Sequence, residues 1–274
     1  VKGGTEPPRL LIYAEQGLGK TSLAAEFPRP VFILTETGIP KGLDVDVMGG
    51  RQLVSYGEIK EAMISLLTEK HDYLTVVFDS AGPLERLIQA EVCARNSWKS
   101  IEQPGYGKGY KECDYLWAEF MDGVKRLRET GMAVLILAHS ELERVDEPGS
   151  QSFNRRGLSL HKRAAAIMER EVDAILLIKQ DVVITKDTQG FGSEKNARAI
   201  AQSGELRWIY SQPAAAYVAK NRYDIPARVP YPRGQGFAQL KPYLIAARED
   251  APSPQIENHL QPREDQAQEN ADAN

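Results

Sequence analysis

The 274-residue chain carries only two cysteines, Cys93 and Cys113, in no metal-binding or redox spacing. That excludes a disulfide framework and a cysteine-built zinc site, and it suggests a reducing compartment. Long apolar runs are also missing. None approaches the roughly 20 residues that a membrane-spanning helix needs, and no signal peptide is visible at the start, so a cytoplasmic protein with no membrane partner is expected. An excess of one charge is lacking as well: 34 Lys and Arg face 38 Asp and Glu, a formal net charge of -4. Any nucleic-acid surface must therefore be a local patch. There are no internal repeats. The apolar and charged fractions, 42% and 26%, are ordinary for a globular protein, and the length allows one α/β domain with appendages.

What is present is a phosphate-binding pattern. The apolar run Leu10-Leu11-Ile12-Tyr13-Ala14 breaks into Glu15-Gln16-Gly17-Leu18-Gly19-Lys20-Thr21-Ser22, and the helix-prone Leu23-Ala24-Ala25-Glu26 follows. Strand, glycine-bearing loop and helix are the context that G-x-x-x-x-G-K-[ST] requires; the fit fails only at the first position, where Ala14 replaces glycine. Backbone N–H groups of residues 16–21 can converge on one concavity and take up phosphate charge, and the helix start adds its positive end. In that arrangement Gln16, Gly17, Leu18, Gly19, Lys20, Thr21 and Ser22 bind a nucleotide. Lys20 reaches the β- and γ-phosphates, and the Thr21 hydroxyl ligates Mg²⁺.

Apolar runs of strand length recur downstream. One over residues 31–34 ends in Thr35-Glu36, one over 73–78 ends in Asp79-Ser80, one over 132–138 ends in His139, and a further one covers 172–178. Runs that are apolar throughout suit strands covered on both faces. Helices are predicted over 20–27, 57–69, 82–97, 111–130 and 160–170, the fourth from the spacing of Tyr115, Leu116, Phe120, Val124 and Leu127. Pro28 and Pro30 stop the first helix and Gly131 ends the fourth. Beyond 180, β-prone pieces at 181–186 and 206–210 flank a turn-like span with Gly190, Gly192 and Ser193. The alternation predicts an α/β fold, a mostly parallel central sheet flanked by helices, with a β-rich C-terminal extension. Residues 1–8 read as a flexible lead-in, 9–248 as the core, and 249–274 as an acidic, proline-bearing, disordered tail.

Polar residues that close parallel strands face the ligand crevice. Asp79 either holds Mg²⁺ through water or caps the helix beginning at Ser80-Ala81-Gly82-Pro83; Lys20 and Thr21 upstream favour the metal role. His139 is a satisfied core histidine or a γ-phosphate sensor, and its place at a strand end favours the sensor. Residues 98–111 alternate glycines, aromatics and lysines, including Lys99, Tyr106, Lys108, Tyr110 and Lys111. They form either a surface loop packed on its own rim or a stacking and phosphate-contact loop for single-stranded nucleic acid. Residues 140–160 read as a long loop bearing Arg144, Arg155 and Arg156. Lys162 and Arg163 then open a helix where positive charge is unfavourable, which a bound anion would explain and a solvated face would not need.

This order of events resembles the RecA-like ATPase core, an AAA-type P-loop family. Phe32-Ile33-Leu34-Thr35-Glu36 is similar to the RecA strand that delivers the catalytic glutamate, and Val76-Val77-Phe78-Asp79-Ser80 to its Walker B. Leu137-Ala138-His139 stands where RecA has a glutamine, and Ala219-Lys220-Asn221-Arg222-Tyr223 resembles the KNRFG motif of RadA. The stretches HDYLTVVFDSAGPLERLI, GYGKGYKE, GMAVLILAHS and AKNRYDIP resemble the phage-encoded RecA-like nucleotide-binding proteins, single-strand annealing ATPases, over about residues 8–245. The resemblance implies ATP and Mg²⁺ as cofactors, with Asp79 in the outer metal shell and Glu36 as the base for the attacking water. It implies Lys220 and Arg222 acting on a neighbouring protomer of a ring or filament. The loops at 98–111 and 140–163 would form a track for single-stranded DNA, with a single-strand DNA-binding protein as a further partner and the host cytoplasm as location. Ala14 and His139 are departures from the pattern, and the second puts the switch mechanism in question. A RecA-like hexameric helicase or a motor or loader ATPase is the alternative. A P-loop kinase of small molecules would have no use for Lys220-Asn221-Arg222.

Overall fold

The computed structural model describes residues 6–146, 149, 151–180 and 207–244, and the backbone of 182–186 and 197–201. The start of the predicted lead-in, most of the turn-like span after 186 and the acidic tail lie outside the described residues. In chain order the elements are β1 (Arg9–Ala14), α1 (Lys20–Ala25), β2 (Pro30–Leu34), β3 (Asp46–Val47), α2 (Tyr56–Thr68), β4 (Thr75–Asp79), α3 (Ala81–Asn96), α4 (Lys108–Glu129), β5 (Ala133–Val145) and β6 (Phe153–Leu158). There follow α5 (Lys162–Glu171), β7 (Ala174–Gln180), β8 (Val182–Lys186), β9 (Ala197–Ala201), β10 (Arg207–Tyr210), β11 (Lys220–Asn221), β12 (Arg228–Tyr231) and α6 (Gly236–Leu240).

The main sheet runs β12-β10-β7-β1-β5-β4-β2-β3. The strands from β7 to β3 are parallel, and β10 and β12 extend the β7 edge antiparallel. The chain leaves β1 for β2 on one side and leaves β5 for β7 on the other. The switch in winding direction thus falls between β1 and β5, where a parallel sheet opens a crevice at its carboxyl ends. Apolar side chains alternate between the faces. Leu11 and Tyr13 of β1 join a core under α2, α3, α4 and α5, while Leu10, Ile12 and Ala14 join one under α1 and α6. This is why the strands read as unbroken apolar runs. The long helix α4 buries Leu116, Trp117, Phe120, Val124 and Leu127 at helical spacing, and Phe120 meets Phe78 of β4 edge-on at 4.9 Å. Among the described residues no helix is long and apolar enough to cross a membrane.

Two expectations are corrected. Residues 140–160 are not a long loop: β5 continues past His139, and Ser140–Val145 pairs antiparallel with β6 to make a hairpin. Both faces of this arm carry polar residues, so it leaves no hydrophobic signature. The loop expected at 98–111 is shorter too, because Lys108, Tyr110 and Lys111 lie in the first turn of α4.

At the opposite edge of the sheet from the crevice, Asp173 lies 5% exposed between α5 and β7. Arg9 contacts it from Nη2 at 3.0 Å and Nε at 3.2 Å, Tyr223 donates its hydroxyl at 3.1 Å, Arg222 approaches at 3.3 Å and Arg128 at 3.5 Å. One carboxylate thus ties the starts of β1 and β7 to the end of α4 and to the segment after β11. Burial pushes Asp173 toward protonation, but the bonds and charge of Arg9 outweigh it and hold the carboxyl below its usual range. A depressed carboxylate adds stability that is complete above its unfolded pKa and is lost as pH falls through the folded one. Asp173→Ala should therefore cost about 3–5 kcal/mol in urea unfolding at pH 7, since it leaves buried arginine charge unpaired. The gap to wild type should narrow as pH drops below roughly 4.

Candidate active site

Beyond β1 the chain turns through residues 15–19 with Gly17 at φ 82° and Gly19 at φ 93°. Both lie in the region that only glycine enters cheaply. Gly19 has a second reason to lack a side chain, because a Cβ there would collide with the Arg207 guanidinium. Lys20 opens α1 and is 6% exposed. Its ammonium meets Ala14 O and Glu15 O at 3.2 Å each and His139 Nδ1 at 3.5 Å. Burial lowers its pKa, while the carboxylates of Asp79 and Glu36 pull it back up.

Strand register brings the remaining groups together. Leu34 stands beside Asp79, Asp79 beside Leu137, and Ala14 beside His139, so four strands deliver their ends to one edge. Thr21 Oγ1 donates to Asp79 Oδ2 at 2.8 Å. Glu36 Oε1 accepts from Ser80 Oγ at 2.8 Å and sits 3.1 Å from His139 Nε2. Because Lys20 can only donate, His139 Nδ1 is the acceptor and Nε2 carries the proton toward Glu36. The arrangement is therefore a chain from ammonium to imidazole to carboxylate. Its support is Thr35, whose hydroxyl accepts from Ser80 N and donates to Ser80 O, both at 2.7 Å, while Thr35 N donates to Asp79 O at 2.8 Å. Gln52 Nε2 holds Thr35 O at 2.8 Å.

These groups line a cavity of about 300 Å³ together with Gln16, Gly17, Gly19 and residues 37–40. The cavity suits a phosphate chain: a glycine-bearing loop and a lysine line it beside carboxylates and an imidazole. Thr21 and Asp79 fit Mg²⁺. Both offer hard oxygen donors, and burial raises the Asp79 pKa against its Thr21 hydrogen bond, the state of a carboxylate short of positive charge. Among the described residues no cluster of three metal-ligating acids, histidines or cysteines exists.

Other candidates are placed elsewhere. The Leu18 carbonyl turns out of the cavity to Arg207, and Ser22 lies within α1 behind it. Lys220 and Arg222 are not brought to the cavity. β11 pairs with the first residues of β7, at the far edge, where Lys220 Nζ caps the α5 carbonyls of Glu169 at 2.7 Å and Arg170 at 2.9 Å. Arg222 belongs to the Asp173 cluster. Arg155 pairs with Glu143 at 2.8 Å, Arg156 with Glu15 at 2.5 Å, and Arg163 with Asp114. Tyr110 stacks on His161 with ring centroids 4.0 Å apart. Lys99 and Tyr106 lie in the loop before α4 and Lys108 and Lys111 in its first turn, and Tyr106 is fully exposed; Lys162 opens α5. Sequence reasoning missed Thr35, Ser80, Gln52, Arg207 and Tyr231. Thr35 and Ser80 adjoin residues it named, but nothing in the spacing ties Arg207 and Tyr231 to the loop.

A family model described as an AAA domain matches residues 6–223. The chain belongs to that family. The match takes in the loop after β1, the Asp79 strand and the His139 strand, and it makes the protein an AAA-type P-loop ATPase. A search of curated proteins finds no match.

Thr35→Val in this AAA domain should strand the buried Ser80 N–H and cost about 1–3 kcal/mol in thermal or urea unfolding, whereas Thr35→Ser should restore most of it.

Proposed function

We propose that the protein is an ATP-dependent single-stranded DNA-binding protein of recombination, acting in strand annealing or exchange, with hydrolysis at the Glu36–His139–Lys20 chain. The observation that carries the hydrolytic half is Glu36, held by Ser80 and His139 at the mouth of the cavity whose floor holds Lys20, Thr21 and Asp79. Lys20 and the loop N–H groups bind the phosphates. Glu36 orients a water and takes its proton as the new P–O bond forms and the bond to the leaving ADP breaks. His139, donating to Glu36 and accepting from Lys20, makes the carboxylate responsive to what the lysine binds. Thr21 and Asp79 would hold Mg²⁺, which would supply charge neutralisation on the phosphates.

Among the described residues that line the cavity, Lys20 is the only cation. A second cation for the transferred phosphoryl would then come from a neighbouring copy, which supports a homo-oligomer, ring or filament; Lys220 and Arg222 are the residues the RecA-like resemblance nominates. The DNA half rests on the exposed Tyr106 beside Lys99, Lys108 and Lys111, since an aromatic among lysines is what stacking on bases and pairing with phosphates requires. The arginines of the hairpin add less to it, because carboxylates already engage them.

ATP hydrolysis measured with and without single-stranded DNA tests the whole reading. Wild type should be stimulated, and Lys20→Ala mixed with Lys220→Ala should recover part of the activity each lacks alone. Hydrolysis that ignores DNA and survives Lys220→Ala would overturn the DNA and assembly parts. Glu36→Gln should keep nucleotide affinity and lose about 10²–10⁴-fold in turnover. Replacing Lys108 and Lys111 together with Ala should flatten the salt dependence of DNA binding by about 0.7 in log–log slope for each phosphate no longer neutralised, and Tyr106→Ala should weaken binding by about 1–3 kcal/mol.

A further inference from the structure

Phosphate loops work by aiming N–H groups inward, which turns the matching carbonyls outward and leaves them needing partners. In this chain the antiparallel extension, about two hundred residues away in sequence, supplies the Leu18 carbonyl with its partner and the Gly19 carbonyl with a second one, beside the first α1 bond from Leu23 N at 2.9 Å. Arg207 of β10 donates Nη1 to Leu18 O at 2.9 Å. Tyr231 of β12, directly opposite Arg207 across the β10–β12 ladder, donates its hydroxyl to Gly19 O at 2.9 Å. The two side chains fix each other, with the Arg207 guanidinium 4.4 Å from the centre of the Tyr231 ring. Tyr231 is fully buried, and Gly236 of α6 packs so closely on its ring that a Cβ there would clash. The pair is thus locked before it touches the loop. The absence of a side chain at Gly19 is what lets Arg207 come that close.

We propose that Arg207 and Tyr231 are positioning residues for the phosphate loop: they hold the carbonyls of Leu18 and Gly19 outward so that the loop N–H groups converge on the phosphates. This rests on the reading of residues 15–21 as a nucleotide site, and it gives the β10–β12 extension a role in nucleotide affinity. Neither residue touches the phosphates; each acts through one peptide of the loop. A lysine at 207 keeps a cationic donor for Leu18 O, whereas methionine keeps the bulk and loses the bond.

The test is direct binding of ATP and ADP to the full chain by calorimetry for wild type, Arg207→Met, Arg207→Lys and Tyr231→Phe, with thermal unfolding alongside and adenosine as a phosphate-free control ligand. Arg207→Met should weaken ATP and ADP by about tenfold or more, since a charged hydrogen bond is removed. Arg207→Lys should regain most of it, and Tyr231→Phe should lose about fivefold. Adenosine binding should not change. A brace that serves only the fold would lower the melting temperature and leave the affinity of the folded fraction intact. That result, or equal loss in the Lys and Met variants, overturns the proposal. If Arg207→Met does not fold, Tyr231→Phe, which removes one oxygen, decides alone: unchanged ATP affinity overturns the proposal and a fivefold loss supports it. Wild-type protein that binds neither ATP nor ADP overturns the nucleotide reading, and the positioning role with it, before any variant is compared.

Discussion

Four parallel strands ending in step are the constraint on which the chemistry depends. β2, β4, β5 and β1 are hydrogen-bonded in a fixed register, so Leu34, Asp79, Leu137 and Ile12 form one row across the sheet. The groups that act, Glu36, Ser80, His139 and the loop after Ala14, all lie within a few residues beyond that row. A slip of one residue in any strand would turn its side chains to the other face and remove its contribution. The apolar cores on both faces oppose such a slip, since each strand would have to exchange buried faces. The stability of the sheet and the accuracy of the site are thus set by the same contacts.

The two edges of the sheet do different work. At the carboxyl edge, charged groups are kept partly unsatisfied: Asp79 is buried with a neutral hydroxyl as its hydrogen-bond partner, and Lys20 leans on carbonyls and an imidazole. At the amino edge, Asp173 is surrounded by Arg9, Arg128, Arg222 and Tyr223 and has nothing left to bind. One edge can still gain by taking up an anion and a cation. The other is closed, and it anchors the chain ends that the parallel strands leave behind. Lys220 and Arg222, which the RecA-like resemblance assigns to a neighbouring protomer's site, lie at this amino edge, far from the cavity of their own chain.

The parallel core and the loop after β1 were legible because each rests on a local rule. Unbroken apolar runs mean strands buried on both faces, and glycine followed by lysine and threonine between strand and helix means a phosphate loop. Asp79 and His139 could be named as strand-end polar residues. Three things were not legible. The hairpin of β5 and β6 scatters a few apolar residues, such as Leu142, Val145 and Phe153, among charged ones and so carries no apolar period. Thr35 holds the ends of β2 and β4 through its hydroxyl, a bond that composition and spacing do not encode. Arg207 and Tyr231 reach the loop only because β10 and β12 add to the sheet beyond β7, a long-range pairing that no short window contains.

The unbroken course of β5 has a mechanical consequence. Residues Ala133–Ala138 are buried in the sheet, His139 stands at its edge, and Ser140–Val145 continues with β6 bonded along its length, while Arg156 of β6 is bonded in turn to the backbone of Ala216 and Val218. Six paired residues at about 3.3 Å each make a ladder of roughly 20 Å, and a paired strand bends far less readily than a loop. The imidazole therefore sits where the central sheet passes into a stiff ladder, and the Arg156–Glu15 ion pair links that ladder to the phosphate loop as well. The histidine is thus held from both sides, by the sheet before it and the ladder after it, and its orientation toward the glutamate is set by backbone rather than by a loop.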